Sequence, residues 1–357
     1  MSDIIYAFYN NKGGVGKTTL CQNAACLYAE QNPKRLVLVI DLCPQANISQ
    51  FLLGGGKKGY AENQRLQSLA TRRNIVGFMD WLLSGNSGFT SIPSSYMTHV
   101  STHNKQVSAN LYLIAGDSFL ESLSLALNFA TMNPGNVNAW GEYVTAIRRL
   151  CNAELAKTGF DEMTVFIDCN PSFSVYTQMA LVSSDQIVIP VMADYSSLEG
   201  LKGIMMLLYG KYPSAAARNY ASKVLTFSKQ INSFGLPLPT IFELPFNNFT
   251  ANLGLANAYA SIKNEISKFA WQQYQADPSV FATVSPIPTT SKEWSDIFMS
   301  DVKDFHTSGK VSASLGIPLH QLPQQTNYTM PDGTIINIPK TNYEDSLVYL
   351  KGFVAKL

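Results

Sequence analysis

Asn11-Lys12-Gly13-Gly14-Val15-Gly16-Lys17-Thr18-Thr19 follows the apolar run Ile4-Ile5-Tyr6-Ala7-Phe8-Tyr9 and precedes a helical pattern from Leu20 to Ala29. A short apolar run, a glycine-rich turn and a helix start, in that order, read as a buried strand feeding a loop that cradles phosphate. Glycines let backbone N–H groups crowd around phosphate oxygens, and the helix turns its partial positive end toward the same anion. The spacing predicts a nucleoside triphosphate site lined by Asn11, Lys12, Gly13, Gly14, Val15, Gly16, Lys17, Thr18 and Thr19. Lys17 would reach the β- and γ-phosphates and Thr18 would hold Mg²⁺. A ligand-free Gly/Lys turn is the alternative, and the strand and helix on either side weigh against it. The pattern departs from the plain phosphate loop in one way: Asn11 stands where the first glycine is usual, and a second lysine, Lys12, opens the glycine pair. One lysine can serve the chain's own nucleotide, and the other is spare.

Outward from this loop, Leu36-Val37-Leu38-Val39-Ile40 ends on Asp41, Thr164-Val165-Phe166-Ile167 ends on Asp168, and Gln186-Ile187-Val188-Ile189-Pro190-Val191 is a third apolar run. Continuous apolar runs suit strands buried on both faces, and their alternation with helical segments predicts an α/β fold: a doubly wound, mostly parallel sheet flanked by helices. Such sheets place chemistry at the carboxyl ends of their strands, where Asp41 and Asp168 fall. Asp41 has two readings, a catalytic carboxylate or a cap on the next helix.

A chain of 357 residues with 46% hydrophobic content can bury a large core as one domain over 1–357. Residues 54–138 read as an insertion between the Asp41 and Asp168 segments, with Ser84 to Lys105 as a mobile surface stretch. Residues 219–357 read as a divergent C-terminal part of the same domain. There, Thr240 to Phe246 is a candidate strand, Leu255 to Tyr274 a helix, Asp332-Gly333 a turn signal, and Tyr343 to Leu357 a closing helix. Five cysteines, mostly in apolar segments, fit free thiols in a reducing cytoplasm. The net charge of +1 supplies no global attraction to nucleic acid or anionic lipid, so such binding would need a local patch.

The Lys12/Lys17 doublet resembles the deviant Walker A box of the ParA/MinD family of ATPases, and most resembles its ParA (Soj-like) partition members. Asp41-Leu42-Cys43-Pro44-Gln45-Ala46-Asn47 is similar to the family's Walker A′ segment, with Cys43 where an aspartate is usual. Asp168 with Pro171 and Ser172 resembles Walker B, and Ile189 to Leu201 resembles a segment of the ATP-dependent dimer surface. The resemblance covers the chain through about Gly203. It implies a P-loop NTPase of ParA/MinD type that binds ATP and Mg²⁺, the metal being held by Thr18 and, through water, by Asp168. It also implies catalytic roles for Lys12, Lys17 and Asp41. Lys12 would cross a homodimer interface to the partner's ATP, and Asp41 would help place the water that attacks the γ-phosphate. The adenine would meet groups after a late strand, where Asn247 or Asn248 falls, an Asn-rich turn being the alternative.

The resemblance further implies slow hydrolysis stimulated by a ParB-like protein, nonspecific DNA binding in the ATP state, and a cytoplasmic, nucleoid-associated role in plasmid or chromosome partition. The sequence departs from that expectation after Arg218, beyond which no arginine occurs and the lysines are scattered. Folding could still gather Arg72, Arg73, Lys202, Lys211 and Arg218 on one face. Two other classes of function remain open: a cargo-positioning, defence or regulatory switch whose partner is a protein, and a membrane tether through Leu347, Leu350, Val354 and Leu357. The membrane reading is the lesser one, since Glu344 and Asp345 precede that helix and its basic face is sparse.

Overall fold

Leu36–Leu42 is buried at each of its seven residues, as a strand covered on both faces must be. Its alternate side chains enter two separate cores: Leu36, Leu38, Ile40 and Leu42 on one side of the sheet, Val37 and Val39 on the other. Ile5, Ala7 and Tyr9 divide from Tyr6 and Phe8 in the same way. The computed structural model describes residues 3–93, 95–248, 253–303, 305–323, 325 and 327–357.

The strands are β1 (Ile4–Phe8), β2 (Leu36–Leu42), β3 (Thr98–His99), β4 (Leu111–Ile114), β5 (Met163–Cys169), β6 (Gln186–Val188), β7 (Val191–Met192), β8 (Thr240–Glu243), β9 (Phe246–Asn248), β10 (Asp301–Lys303), β11 (Asn327–Thr329) and β12 (Ile335–Asn337). Seven of them form the main sheet in the order β3-β4-β2-β5-β1-β6-β8, parallel throughout except for the β3–β4 edge pair. This is the mostly parallel, helix-flanked sheet of the P-loop NTPase fold.

One core face carries α4 (Ile75–Trp81), α5 (Phe119–Thr131), α6 (Ala139–Val144), α7 (Ala146–Leu155), α8 (Val175–Ser183), α9 (Tyr195–Tyr209), α11 (Phe227–Phe234), α12 (Leu253–Ala276) and α13 (Ser291–Phe298). The other carries α1 (Lys17–Gln31), α2 (Asn47–Leu52), α3 (Gly56–Gln67), α14 (His306–Leu315) and α15 (Lys340–Val354). The short α10 (Ala215–Ser222) lies between α9 and α11 in the chain.

The structure corrects several expectations. The run from Gln186 to Val191 and the run from Thr240 to Phe246 are each two strands, broken beside Pro190 and Pro245, which have no N–H to give to a ladder. Beyond the prolines the chain continues into a second, parallel sheet, β10-β9-β7. Residues 54–138, read as an insertion or extended region, contribute β4 to the main sheet, where it pairs with β2. Within Ser84 to Lys105, expected as a mobile loop, Ile92, Tyr96 and Val100 are buried in the cores. Phe78 stacks near Trp81 at 6.1 Å and meets Tyr96 edge-on at 5.5 Å, forming an aromatic layer over the sheet. Phe89, within the Ser84 to Lys105 stretch, is exposed.

The closing helix α15 packs Leu350, Phe353 and Val354 into the core, and Tyr6 donates its hydroxyl to the Leu357 carbonyl at 3.0 Å. Its apolar side is therefore spent on the fold. No helix among the described residues is long and apolar enough to cross a membrane.

Candidate nucleotide site

β1, β2 and β5 end together, with Asp41 and Asp168 as direct neighbours across the β2–β5 ladder and Phe8 opposite Asp168 on the other side. The glycine loop leaves β1 at this edge and enters α1 at Lys17. Gly14 and Gly16 hold φ of 75° and 89°, which an L side chain resists, so the tight path of the loop depends on glycine at both. A Cβ on Gly13 or Gly14 would meet nothing within 4 Å, leaving the loop an open cradle on the side where an anion would sit.

Lys17 is buried and its ammonium donates to the Lys12 carbonyl at 2.9 Å, folding the side chain back over the loop. Burial lowers its pKa, and the charge of Asp168 works against that shift. Thr18 Oγ1 donates to Asp168 Oδ2 at 2.8 Å, while Asp168 Oδ1 is buried without a partner. A hydroxyl beside a carboxylate with one unpaired buried oxygen is an oxygen donor set that fits Mg²⁺. Burial raises the pKa of both Asp41 and Asp168, and the Asp41 charge raises that of Asp168 further.

Asp41 is fully buried. Its Oδ1 accepts from the Cys43 N–H at 3.0 Å, and its Oδ2 accepts from the Ser49 N–H at 3.1 Å and the Ser49 hydroxyl at 2.6 Å. These bonds hold the first turn of α2, the capping geometry that was one of its two sequence readings. Ser49 in turn accepts from the Gly116 N–H at 2.8 Å, linking β2 to the end of β4. A Cβ on Gly116 would stand 2.7 Å from the Asp41 carboxyl carbon, so glycine is needed there.

Lys12 is ion-paired with Asp194, which also accepts from the Ser197 N–H at 2.7 Å as the N-cap of α9. Burial of Asp194 alone would raise its pKa, but hydrogen bonds from Lys12, Ser196 and Ser197 outweigh it and hold the carboxyl at about 2. Asn10 braces the loop from beneath, accepting from the Lys12 N–H at 2.9 Å and donating to the Pro190 carbonyl at 2.8 Å. Asn11 meets α9 where glycines allow it: a Cβ on Gly200 would lie 2.9 Å from Asn11 Oδ1, and one on Gly203 3.2 Å from its Nδ2.

Asn247 comes to the loop from β9, donating to the Val15 carbonyl at 3.2 Å with its own Oδ1 buried and unpartnered. The side chain of Asn248 lies outside the described residues. Asn10, Ser49 and Asp194 were not singled out by residue type. Asn10 directly after an apolar strand and Asp194 before a helix at N-cap spacing were the available signals. Nothing in the sequence pairs Ser49 with Asp41.

The anticipated basic face is largely neutralised. Arg72 pairs with buried Asp117 at 2.8 Å, Lys202 with Glu199 at 2.7 Å and Lys211 with Asp277 at 2.5 Å.

A sequence model of the family described as AAA domain matches residues 3–210. An uncharacterised protein of Pseudomonas putida is 32% identical over 202 residues, covering 56% of this chain and 60% of that protein. The chromosome-partitioning ATPase Soj of Thermus thermophilus is 28% identical over 202 residues, covering 57% and 60%. The matched region thus spans about 60% of the length of these relatives. Among solved structures, apo McdA from Cyanothece superposes with a TM-score of 0.52 over 97% of this chain and 99% of that one, at 16% identity, a likeness of fold. Taken with the glycine loop and its paired lysines, these matches place the chain in the AAA-domain family of P-loop proteins, as a ParA/MinD-type member.

Proposed function

We propose that the protein is an ATP-dependent dimerising ATPase that acts as a nucleotide switch in plasmid or chromosome partition. The observation that carries this reading is the pairing of a complete phosphate loop around Lys17 with a second lysine, Lys12, held by a carboxylate that it can exchange for a phosphate.

In this reading Lys17 and the loop N–H groups grip the β- and γ-phosphates. Thr18 and, through water, Asp168 would hold Mg²⁺, which when bound neutralises phosphate charge. Lys12 swings from Asp194 to the γ-phosphate in the opposite protomer, and Asp41 helps place the attacking water. The water oxygen bonds to the γ-phosphorus, the bond to the bridging β–γ oxygen breaks, and ADP and phosphate result. Loss of the γ-phosphate removes the anion that held Lys12 across the interface, so the dimer loosens and Lys12 returns to Asp194. Turnover is slow and raised by a ParB-like protein, and Asn247, which donates to the Val15 carbonyl of the loop, would contact the adenine.

The ATP dimer binds DNA nonspecifically in this reading, and the experiment is a salt titration of duplex binding with ATP, with ADP and with Lys12→Ala. ATP-only binding that weakens steeply with salt supports it. An ATP dimer that ignores DNA at low salt leaves a second reading, a switch for a protein cargo. The pairing of Arg72, Lys202 and Lys211 with carboxylates favours that second reading.

A further inference from the structure

Between Gly200 and Phe242 the chain holds five cations, Lys202, Lys211, Arg218, Lys223 and Lys229, and no aspartate or glutamate. Lys202 and Lys211 are matched from outside the segment by Glu199 and Asp277. Arg218 and Lys223 are exposed and have no carboxylate partner among the described residues. Lys229 donates to the carbonyls of Ala221, Ser222 and Val224 at 2.7, 2.9 and 2.8 Å, so its charge also goes without a counter-carboxylate.

The same stretch walls an apolar cleft of about 490 Å³ among α9, α10 and α11, with Phe173, Met206, Val224, Leu225 and Phe227 in its lining and no charged side chain. Tyr220 and Leu225 stand 71% and 74% exposed at its edge. The three bonds from Lys229 fix the α10–α11 connection, and Ser214 and Thr226 cap the two helices, so the cleft is built rather than frayed. Contiguous apolar surface of this kind is costly to leave in water and marks recognition sites.

We propose that this cleft docks an amphipathic helical segment of a partner protein. Its apolar side chains enter against Met206, Val224, Leu225 and Phe227, and its acidic side chains face Arg218 and Lys223. The charge balance selects an acidic partner, and the apolar lining selects a protein rather than a nucleic acid backbone. Phe173 reaches the cleft from the turn after Asp168 and meets Phe227 edge-on at 5.0 Å, so an occupant touches the segment leading to the nucleotide site. Docking stands apart from the ATPase reading; only an effect of the partner on hydrolysis rests on it.

The test is a selection of displayed random peptides on the full chain, with and without an ATP analogue. Enriched peptides are then titrated by fluorescence anisotropy against the native chain, a Tyr220→Ala/Leu225→Ser variant and an Arg218→Glu/Lys223→Glu variant. The expected result is a motif with large apolar residues at helical spacing and Asp or Glu beside them, whose affinity falls about tenfold or more in both variants. No enrichment, a basic motif, or affinity kept in either variant overturns the proposal. So does a short DNA duplex that binds through Arg218 and Lys223 and displaces the peptides. Fluorescent ATP binding, read on the same samples, reports separately on the nucleotide site.

Discussion

Lys12 is ion-paired with Asp194, the residue that caps α9, so the spare lysine of the phosphate loop is held within its own protomer. The pair is partly exposed, with side chains 24% and 40% accessible, and pairs of that kind contribute at most about 1 kcal/mol. A γ-phosphate offers Lys12 more negative charge than one carboxylate, so in the proposed dimer ATP in the opposite site would win the exchange.

Asp194→Asn keeps a side chain that caps helices well but removes the charge. It should tighten ATP-dependent dimerisation by up to about 25-fold, about fivefold for each of the two Lys12 pairs that the dimer gives up. Lys12→Ala should bind ATP and remain monomeric. Sedimentation velocity with a slowly hydrolysed ATP analogue reads both, and a normal dimer in the Lys12 variant would remove the proposed crossing.

Lys17 donates to the Lys12 carbonyl at 2.9 Å from a buried position, so its ammonium is already held over the loop before any phosphate arrives. Charged hydrogen bonds contribute about 1.5–3 kcal/mol each. Lys17→Ala should lower ATP affinity by about 10- to 150-fold, measured by anisotropy of a fluorescent ATP, with the fold unchanged by circular dichroism. Affinity within twofold of the native chain would exclude the role.

The strand ends were legible in the sequence because buried parallel strands are continuous apolar runs: Asp41 and Asp168 each close one, and the ladder sets them side by side. The phosphate loop was legible because its function fixes both residue types and spacing. Asp194 holding Lys12 and Ser49 holding Asp41 join residues 182 and 8 positions apart, and neither pairing leaves a periodic trace. Pro190 and Pro245 stood inside runs read as single strands, and nothing in the sequence showed that the chain would re-pair beyond both to make a second sheet.

Asp168 and Asp41 also set a pH dependence. Burial raises both native pKa values above the ordinary carboxyl value, and the Asp41 charge adds to the shift at Asp168. The native state therefore binds protons that the unfolded chain has released. The stability from this source is full below the unfolded carboxyl value and is lost as pH rises through the raised native values toward neutrality. Without nucleotide, the thermal midpoint should fall between about pH 5 and pH 8. Asp168→Asn, neutral and still able to accept from Thr18, should flatten that slope. An unchanged slope in the variant would show the charge pair to be unimportant.

Asp41 has its carboxyl held by Cys43 and Ser49, and the proposed catalytic role requires that it also address water. Asp41→Ala should keep ATP and accumulate dimer while phosphate release falls by about 100-fold or more. Ser49→Ala leaves the backbone bonds and should cost about tenfold through looser aim. If both variants lose thermal stability but hydrolyse ATP at native rates, Asp41 is a cap and nothing more.

Glu243 closes β8 with no exposed surface, and its Oε1 receives the Lys356 ammonium at 2.7 Å, while Oε2 has no partner. Burial raises the Glu243 pKa and Lys356 opposes that shift, so the carboxylate depends on a lysine just past the end of α15. Lys356→Met would leave a buried charge uncompensated, which costs about 3 kcal/mol or forces proton uptake. The variant should unfold earlier in urea at pH 8 and recover part of the loss at pH 5, where Glu243 can protonate. Adding Glu243→Gln to Lys356→Met should restore most of the stability at pH 8, because removing both charges costs less than stranding one. A double variant as unstable as the single one would locate the effect in lost packing of α15 against the sheet instead.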